Sequence, residues 1–202
     1  MRLAGAIAAG LVLIAMPALA QPAPARWSFA AAAYAYVVPD GGNFLLPTLA
    51  ADRDSLHLEA RYNYEHQETG SIWVGFNFSG GGTVAWELTP MLGGVFGNTD
   101  GIAPGYKGSL GWRKLELYSE GEYVITGDSS ERFLYNWSEL TLAPVEWLRF
   151  GLATQRTRAY QTERDVQRGL LVGFSFKRAD ITTYLLNPDD ESTLIVAVAL
   201  GF

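Results

Sequence analysis

The chain has 202 residues, no cysteine and a formal net charge of −6. A cysteine-free chain has no disulfide framework to hold it, and the acidic balance argues against nucleic acid, which rewards a basic face. No stretch beyond the N-terminal leader reaches the ~18 consecutive apolar residues of a spanning helix, while Val, Thr, Tyr, Phe and Trp, the residues favoured in strands, are abundant.

The first twenty residues read as an export leader. Arg2 supplies the charged end, Leu3 to Met16 the apolar stretch, and Ala18-Leu19-Ala20 the small-residue cleavage site. A membrane-spanning helix is the alternative; the shortness of the run and the presence of Gly5, Gly10 and Pro17 weigh against it. Cleavage after Ala20 leaves residues 21–202 as one all-β domain, and no cysteine follows the cut to carry a lipid anchor.

From there the chain alternates. A first strand is expected over Trp27 to Val37, closed by a turn at Pro39–Gly42, and a turn at Asp52–Asp54 precedes the clearest alternation, Ser55 to Glu65. In that strand Leu56, Leu58, Ala60, Tyr62 and Tyr64 share one face, and Ser55, His57, Glu59, Arg61, Asn63 and Glu65 share the other. After a turn at Gln67–Gly70, Ile72, Val74, Phe76 and Phe78 alternate with Ser71, Trp73, Gly75 and Asn77. Ser79–Gly82 turns the chain again, and Val84, Trp86 and Leu88 then oppose Thr83, Ala85, Glu87 and Thr89. Past Gly97–Gly101 and a tight reversal near Trp112–Lys114, Leu115 and Leu117 oppose Lys114, Glu116, Tyr118, Glu120 and Glu122. At Trp137-Ser-Glu-Leu140, beyond a turn at Thr126–Ser130, the apolar parity switches, which predicts a bulge. A turn at Ala143–Val145 leads to Leu148, Phe150 and Leu152 opposing Arg149 and Gly151; a loop follows at Thr162–Asp165. Leu170, Val172, Phe174 and Phe176 then oppose Gly169, Gly173, Ser175 and Lys177, with reversals near Lys177–Ala179 and Asn187–Asp190. Eleven connections give twelve strands, with ten as the alternative count.

The last segment, Thr193 to Phe202, is an uninterrupted apolar run ending on an aromatic ring, close to the ~9–11 residues that cross a bilayer at a tilt. In hydrocarbon its N–H and C=O groups must all be paired, so such a strand has to close into a barrel. An aromatic C-terminus on an apolar strand resembles the terminal signal of bacterial outer-membrane β-barrels, and Pro104 through Trp112 to Tyr123 is similar to an uncharacterised group of small porin-like members. The resemblance implies a transmembrane antiparallel up-and-down barrel in the outer membrane of a Gram-negative bacterium. It implies as partners the membrane lipids and the barrel-assembly machinery, engaged through Phe202 and its strand.

In such a barrel the Leu/Tyr face of Ser55–Glu65 looks outward, because an Arg near the lipid midplane costs roughly 2–4 kcal/mol and Glu somewhat less. With Phe202 on the periplasmic side, aromatic residues form two belts: Tyr62, Tyr64, Phe96, Tyr106, Tyr123, Phe133 and Tyr135 at the outer ends, and Phe76, Phe78, Trp86, Trp112, Trp147, Phe174 and Phe176 at the inner ends. A water-soluble, lipocalin-like barrel with its apolar face inward alternates equally well. The two differ in which face is enclosed.

Chemistry-bearing motifs are sparse. Ser55 and His57, two apart on one face, weakly resemble the Ser/His pairs of outer-membrane lipid hydrolases, but no surrounding motif accompanies them. His66 belongs to an outer loop without an evident partner. Two separated histidines give no metal-ligand spacing, and no metal or cofactor is expected. Glu59, Glu87, Glu116, Glu120 and Glu122, with Arg61, Lys114, Arg149, Lys177 and Arg168 to neutralise them, read as a lumen network more than as an acid/base pair. Pore-lining residues are therefore expected at His57, Glu59, Arg61, Asn63, Trp73, Glu87, Lys114, Glu116, Tyr118, Glu120, Glu122 and Arg149, with loops too short to constrict the lumen. The leading expectation is a small channel for ions or small solutes, against a lipid hydrolase using Ser55 and His57 or a closed barrel that transports nothing.

Overall fold

Alternation with one greasy face per strand leaves the chain few ways to hide its backbone. The computed structural model, which describes residues 26–38, 42–127, 132–159, 165–189 and 192–202, shows the one it takes. Thirteen strand segments lie in a single antiparallel sheet: β1 (Ser28–Val37), β2 (Phe44–Arg53), β3 (Leu56–Tyr62), β4 (Thr69–Phe76), β5 (Phe78–Gly81), β6 (Ala85–Gly97), β7 (Gly101–Trp112), β8 (Leu115–Thr126), β9 (Phe133–Val145), β10 (Leu148–Ala159), β11 (Asp165–Phe176), β12 (Ala179–Leu186) and β13 (Thr193–Gly201). β4 and β5 both pair with β6, every other strand pairs with its neighbours in sequence, and β1 pairs with β13. The register is the same on both sides of Asn77, Gly75 facing Met91 and Phe78 facing Leu88, so β4 and β5 are one stave. Pro90, which has no N–H for a ladder, stands opposite the break. The result is a closed barrel of twelve staves. The expected leader at 1–20, most of the turns at Pro39–Gly42, Thr126–Ser130 and Thr162–Asp165, and Asp190 of the turn at Asn187–Asp190 lie outside the described residues.

The seam is where the terminal strand matters. Ala30 to Val37 pair with Gly201 to Leu194, and the N–H groups of Phe29 and Phe202 each donate to the other's carbonyl at 2.9 Å. The two rings stack, centroids 6.0 Å apart. Phe202 thus supplies the last rung of the ladder that removes both sheet edges.

The ends of the barrel differ. One carries Trp27, Phe202 and the connections at 54–55, 82–84, 113–114, 146–147 and 177–178; the other carries the strand ends that residues 38–43, 63–68, 98–100, 127–132, 160–164 and 187–192 join. Asp54, Arg113 and Lys177 open two-residue turns with φ of 53°, 56° and 56°, the backbone hand that tight hairpins require.

The faces settle the choice between the two kinds of barrel. Outward positions are apolar and bare: Leu49 is 59 % exposed, Ile72 63 % and Leu170 57 %. Inward positions include Glu59 at 3 %, Glu139 at 2 % and Arg149 at 5 %. A water-soluble barrel has the opposite arrangement, so this wall is built to face hydrocarbon.

Several expectations are corrected. No bulge lies at 137–140, because β8 and β9 keep one register from Leu115–Leu142 to Val124–Phe133. Trp137 simply turns inward with Glu139, and the register shift falls near Leu148, where β10 meets β9. The reversal between those strands sits at Glu146–Trp147, and the strand before Gly82 continues to Gly81. Phe133 and Tyr135 share Trp137's parity and pack inside, so they are not belt residues.

Ile72→Arg should lower the unfolding free energy of the protein in phosphatidylcholine vesicles by roughly 2–4 kcal/mol, read from urea midpoints at constant slope. An unchanged or raised midpoint would restore the water-soluble barrel.

Candidate functional site in the barrel lumen

Because side chains on a strand point alternately in and out, β3 delivers His57, Glu59 and Arg61 into the interior at successive heights, with Lys107 from β7 and Glu120 and Glu122 from β8 facing them. His57 sits between two carboxylates, Nδ1 2.8 Å from Asp52 Oδ1 and Nε2 3.0 Å from Glu59 Oε2. Asp52 also accepts from Asn77 Nδ2 at 2.7 Å. Glu59 accepts from Arg61 Nε at 2.6 Å and from Lys107 Nζ, and Arg61 Nη1 donates to Glu122 Oε2 at 2.8 Å. The link from Arg61 to Glu122 joins strands four staves apart, so it crosses the lumen.

Arg61 is also gripped by aromatic faces, its guanidinium carbon 4.4 Å from the Tyr64 ring centre and 4.5 Å from that of Trp73. Trp73 lies against the wall, not across the pore. A Cβ on Gly93 would sit 2.6 Å from its ring and one on Gly105 2.9 Å, so both positions must be glycine for the indole to lie there. Trp73 Nε1 donates to Ser71 Oγ at 2.9 Å, and Ser71 in turn donates to Glu65 Oε1 at 2.5 Å.

Glu120 accepts from the phenols of Tyr64 and Tyr118, the latter at 2.6 Å. Tyr64 comes from the connection after β3, where Asn63 takes a φ of 59°. That residue accepts the Glu68 N–H and donates to the Leu45 carbonyl. The left-handed step at Asn63 ends the strand and throws Tyr64 inward, edge-on to Tyr135 with centroids 5.3 Å apart and five staves away. The loops are expected to be too short to constrict the lumen; one of them nonetheless places the Tyr64 side chain inside it.

A second cluster lies on the opposite wall. Glu139 Oε1 accepts from Trp137 Nε1 and the Tyr184 hydroxyl, both at 2.8 Å, and its other oxygen lies 3.6 Å from Arg149. Arg149 Nη2 donates to Thr182 Oγ1 at 2.6 Å, and Ser175 donates to Asp180 at 2.5 Å. Beyond both clusters, at the end with the longer connections, a cavity of about 580 Å³ opens between Tyr36, Phe44, Tyr64, Phe133 and Tyr135.

Of the residues expected to line the pore, His57, Glu59, Arg61, Trp73, Tyr118, Glu120, Glu122 and Arg149 meet inside as described. Glu116 is half-buried on the inward parity, and Glu87 is exposed opposite Ser79 and Ser109 near the short-turn rim. Asn63 and Lys114 belong to turns: Lys114 follows the end of β7 and donates to the Pro144 carbonyl at 2.7 Å. Lys177 lies in its turn over the Phe176 ring and Arg168 is exposed on the outward parity, so neither pairs with a lumen carboxylate among the described residues. Tyr62, Trp86, Trp112, Tyr123, Phe174 and Phe176 stand on the outer wall, whereas Tyr64 moves from the belt to the lumen for the reason given. Ser55 lies in a turn, and both ring nitrogens of His57 face carboxylates, so the Ser/His pair does not form. His66 is exposed, with Nδ1 3.1 Å from the Gln67 carbonyl.

Sequence reasoning missed Lys107, Glu139 and Tyr184. Lys107 is hidden in a glycine-rich strand whose alternation is faint, and Glu139 was lost to the supposed parity switch. Carrying the outward parity of Leu140 back along β9 would have found it.

Among solved structures, the fold matches the KdgM porin at a TM-score of 0.61 and 11 % identity, covering 86 % of this chain and 99 % of that one. KdgM porin in complex with disordered oligogalacturonate matches at 0.59 and 10 % identity, covering 87 % and 99 %. The Acinetobacter baumannii outer membrane protein Omp33 matches at 0.51 and 8 % identity, covering 87 % and 98 %. At such identities the likeness is one of fold. No protein-family model and no curated protein matches the sequence.

Glu59→Leu should destabilise the barrel by roughly 3–5 kcal/mol, because it leaves Arg61 and Lys107 buried without their shared acceptor. Urea unfolding in lipid vesicles checks this; a loss under about 1 kcal/mol, the value of an exposed pair, would place the cluster in water.

Proposed function

We propose that the chain is an outer-membrane channel for small cations and small uncharged solutes, its longer connections outside and its short turns in the periplasm. The observation that carries this reading is the excess of acid inside a membrane-facing barrel. Asp52, Glu59, Glu65, Glu120 and Glu122 share one side of the interior with Arg61, Lys107 and His57; Glu116, Glu139 and Asp180 share the other with Arg149. Carboxylates outnumber cations even with His57 charged, and a low-dielectric wall around such a lumen focuses its field on passing ions.

The orientation is supported by the two rims, since bacterial barrels of this kind keep short turns periplasmic and longer loops outside. Twelve staves lie between the eight of a filled barrel and the sixteen of a wide porin, and the Arg61–Glu122 link and Tyr64 narrow this lumen further. Small conductance is expected. A polyanion such as the oligogalacturonate held by KdgM porin fits this acidic interior poorly, so the shared architecture is read here with a different solute. The leader at 1–20 would deliver the chain to the periplasm, and assembly would engage it through β13 and Phe202.

In planar bilayers the purified protein should give small, cation-preferring conductance steps. Replacing Glu116, Glu120 and Glu122 together by Gln should abolish or reverse that preference in asymmetric KCl. A silent bilayer, or an anion preference in the unaltered protein, would sink the proposal.

A further inference from the structure

The outer wall is not equally greasy all round. On β13 the outward residues Leu194, Val198 and Leu200, and on β4 Ile72, Val74 and Phe76, are exposed and apolar along the strand. Across β7 to β11 an apolar row also runs in register: Leu110, Leu117, Leu140, Leu152 and Leu170. Two residues nearer the longer connections it stops. The next row reads Gly108, Ser119, Ser138, Thr154 and Arg168, each opposite the next on the neighbouring strand. The row beyond reads Tyr106, Gly121, Asn136, Arg156 and Val166.

All of these lie on the outward parity, opposite to the buried Lys107, Tyr118, Trp137, Ala153 and Leu171. Asn136 Nδ2 bonds the Tyr106 hydroxyl at 3.0 Å and Ser119 Oγ at 3.2 Å, and the two serine hydroxyls meet at 3.0 Å. Ser119 Oγ also donates to the Trp137 carbonyl at 3.3 Å and meets the Tyr106 hydroxyl at 3.0 Å, and Asn136 Nδ2 donates to the Glu120 carbonyl at 2.9 Å, so these two are occupied; the Tyr106 and Ser138 hydroxyls keep acceptor capacity. Thr154 and Arg168 face each other, so Arg156 stands diagonally from Arg168 on one face, roughly 7–8 Å away. Arg156 Nε is shielded from water without an acceptor among the described residues.

Beside the leucine row, two arginines and a set of hydroxyls on the lipid-facing parity mark a sector suited to headgroups, because charge against acyl chains is costly and near the interface is not. Arginine pairs select phosphate, which their planar donors grip bidentately. The patch spans four interstrand spacings, about 19 Å, too broad for one phosphate, and the Tyr106 ring lies over Gly121, where a Cβ would sit 2.9 Å from it. We propose that this sector of β7–β11 binds a phosphorylated saccharide lipid of the outer leaflet, its phosphate on Arg156 and Arg168 and its sugar hydroxyls along Tyr106, Ser138 and Thr154. The proposal rests on the orientation argued above, with the longer connections outside.

The test uses the refolded full chain in detergent with three probes: lipid A (a diphosphorylated, acylated glucosamine disaccharide), its dephosphorylated form, and phosphatidylglycerol. Retention is read by native mass spectrometry. Lipid A should be retained best, and Arg156→Gln with Arg168→Gln should weaken it by about tenfold or more. Ser138→Leu with Thr154→Leu, which continues the apolar row, should raise the unfolding midpoint in phosphatidylcholine vesicles while lowering lipid A retention. Equal retention of lipid A and phosphatidylglycerol, or lipid A binding unmoved by both double variants, would overturn the site and leave a self-contained hydrogen-bonded cluster. None of these readouts involves conductance, so the site and the channel can fail separately.

Discussion

Everything in this barrel depends on the antiparallel contact between β1 and β13. A sheet in hydrocarbon cannot leave an edge, because each unpaired N–H or C=O costs several kcal/mol there. The first strand is nearly all alanine at its centre, Ala30 to Ala33, and the last is Leu, Ile, Val and Ala. Neither has side chains that would obstruct a close seam, and the ladder runs to the final residue, where Phe29 and Phe202 exchange hydrogen bonds. Once the ring is closed, every side chain is assigned to lipid or lumen by parity alone.

That assignment explains how far the sequence could be read. Where a strand alternates sharply, as in Leu56–Tyr62 or Leu170–Phe176, its face follows from the cost of an ion in lipid, and the structure agrees with it. Reading failed where an aromatic residue was free to go either way. Trp137 and Tyr135 are large and apolar enough for a belt, yet each has a polar atom or a ring edge that suits the interior, and the register of β9 puts them there. Tyr64 failed differently: one left-handed residue, Asn63, cancels the alternation, and nothing in the tyrosine itself announces it. Lys107 was invisible because its strand, Pro104 to Gly111, has too few apolar side chains to show a phase.

The interior shows what the enclosed charges require of one another. Glu59 is nearly inaccessible to water, and a carboxylate in that position is tolerable only with its lone pairs filled. Arg61, Lys107 and His57 fill them, and they come from the same strand and from one three staves away. The network therefore ties distant parts of the wall together and fixes Arg61 between two aromatic faces. Rigidity and narrowness have the same origin: a lumen lined by long ionic side chains must bring them into contact, and contact occupies the space through which a solute would pass.

The same reasoning carries a consequence for which charges a passing ion can meet. The carboxylate oxygens of Glu59 are taken by three partners, so this residue is structural wherever the barrel is folded. Glu116 stands half-buried towards the short-turn end, and Glu120 is held by two phenols, with Lys107 Nζ 4.0 Å away. Phenols neutralise no charge, so Glu120 keeps most of its field. In the proposed channel, a cation entering from the aromatic-walled end would meet Tyr64 and Tyr135 first and the Glu120 carboxylate directly behind them. On that proposal selectivity would be set by carboxylates held with neutral donors, and stability by those held with cations.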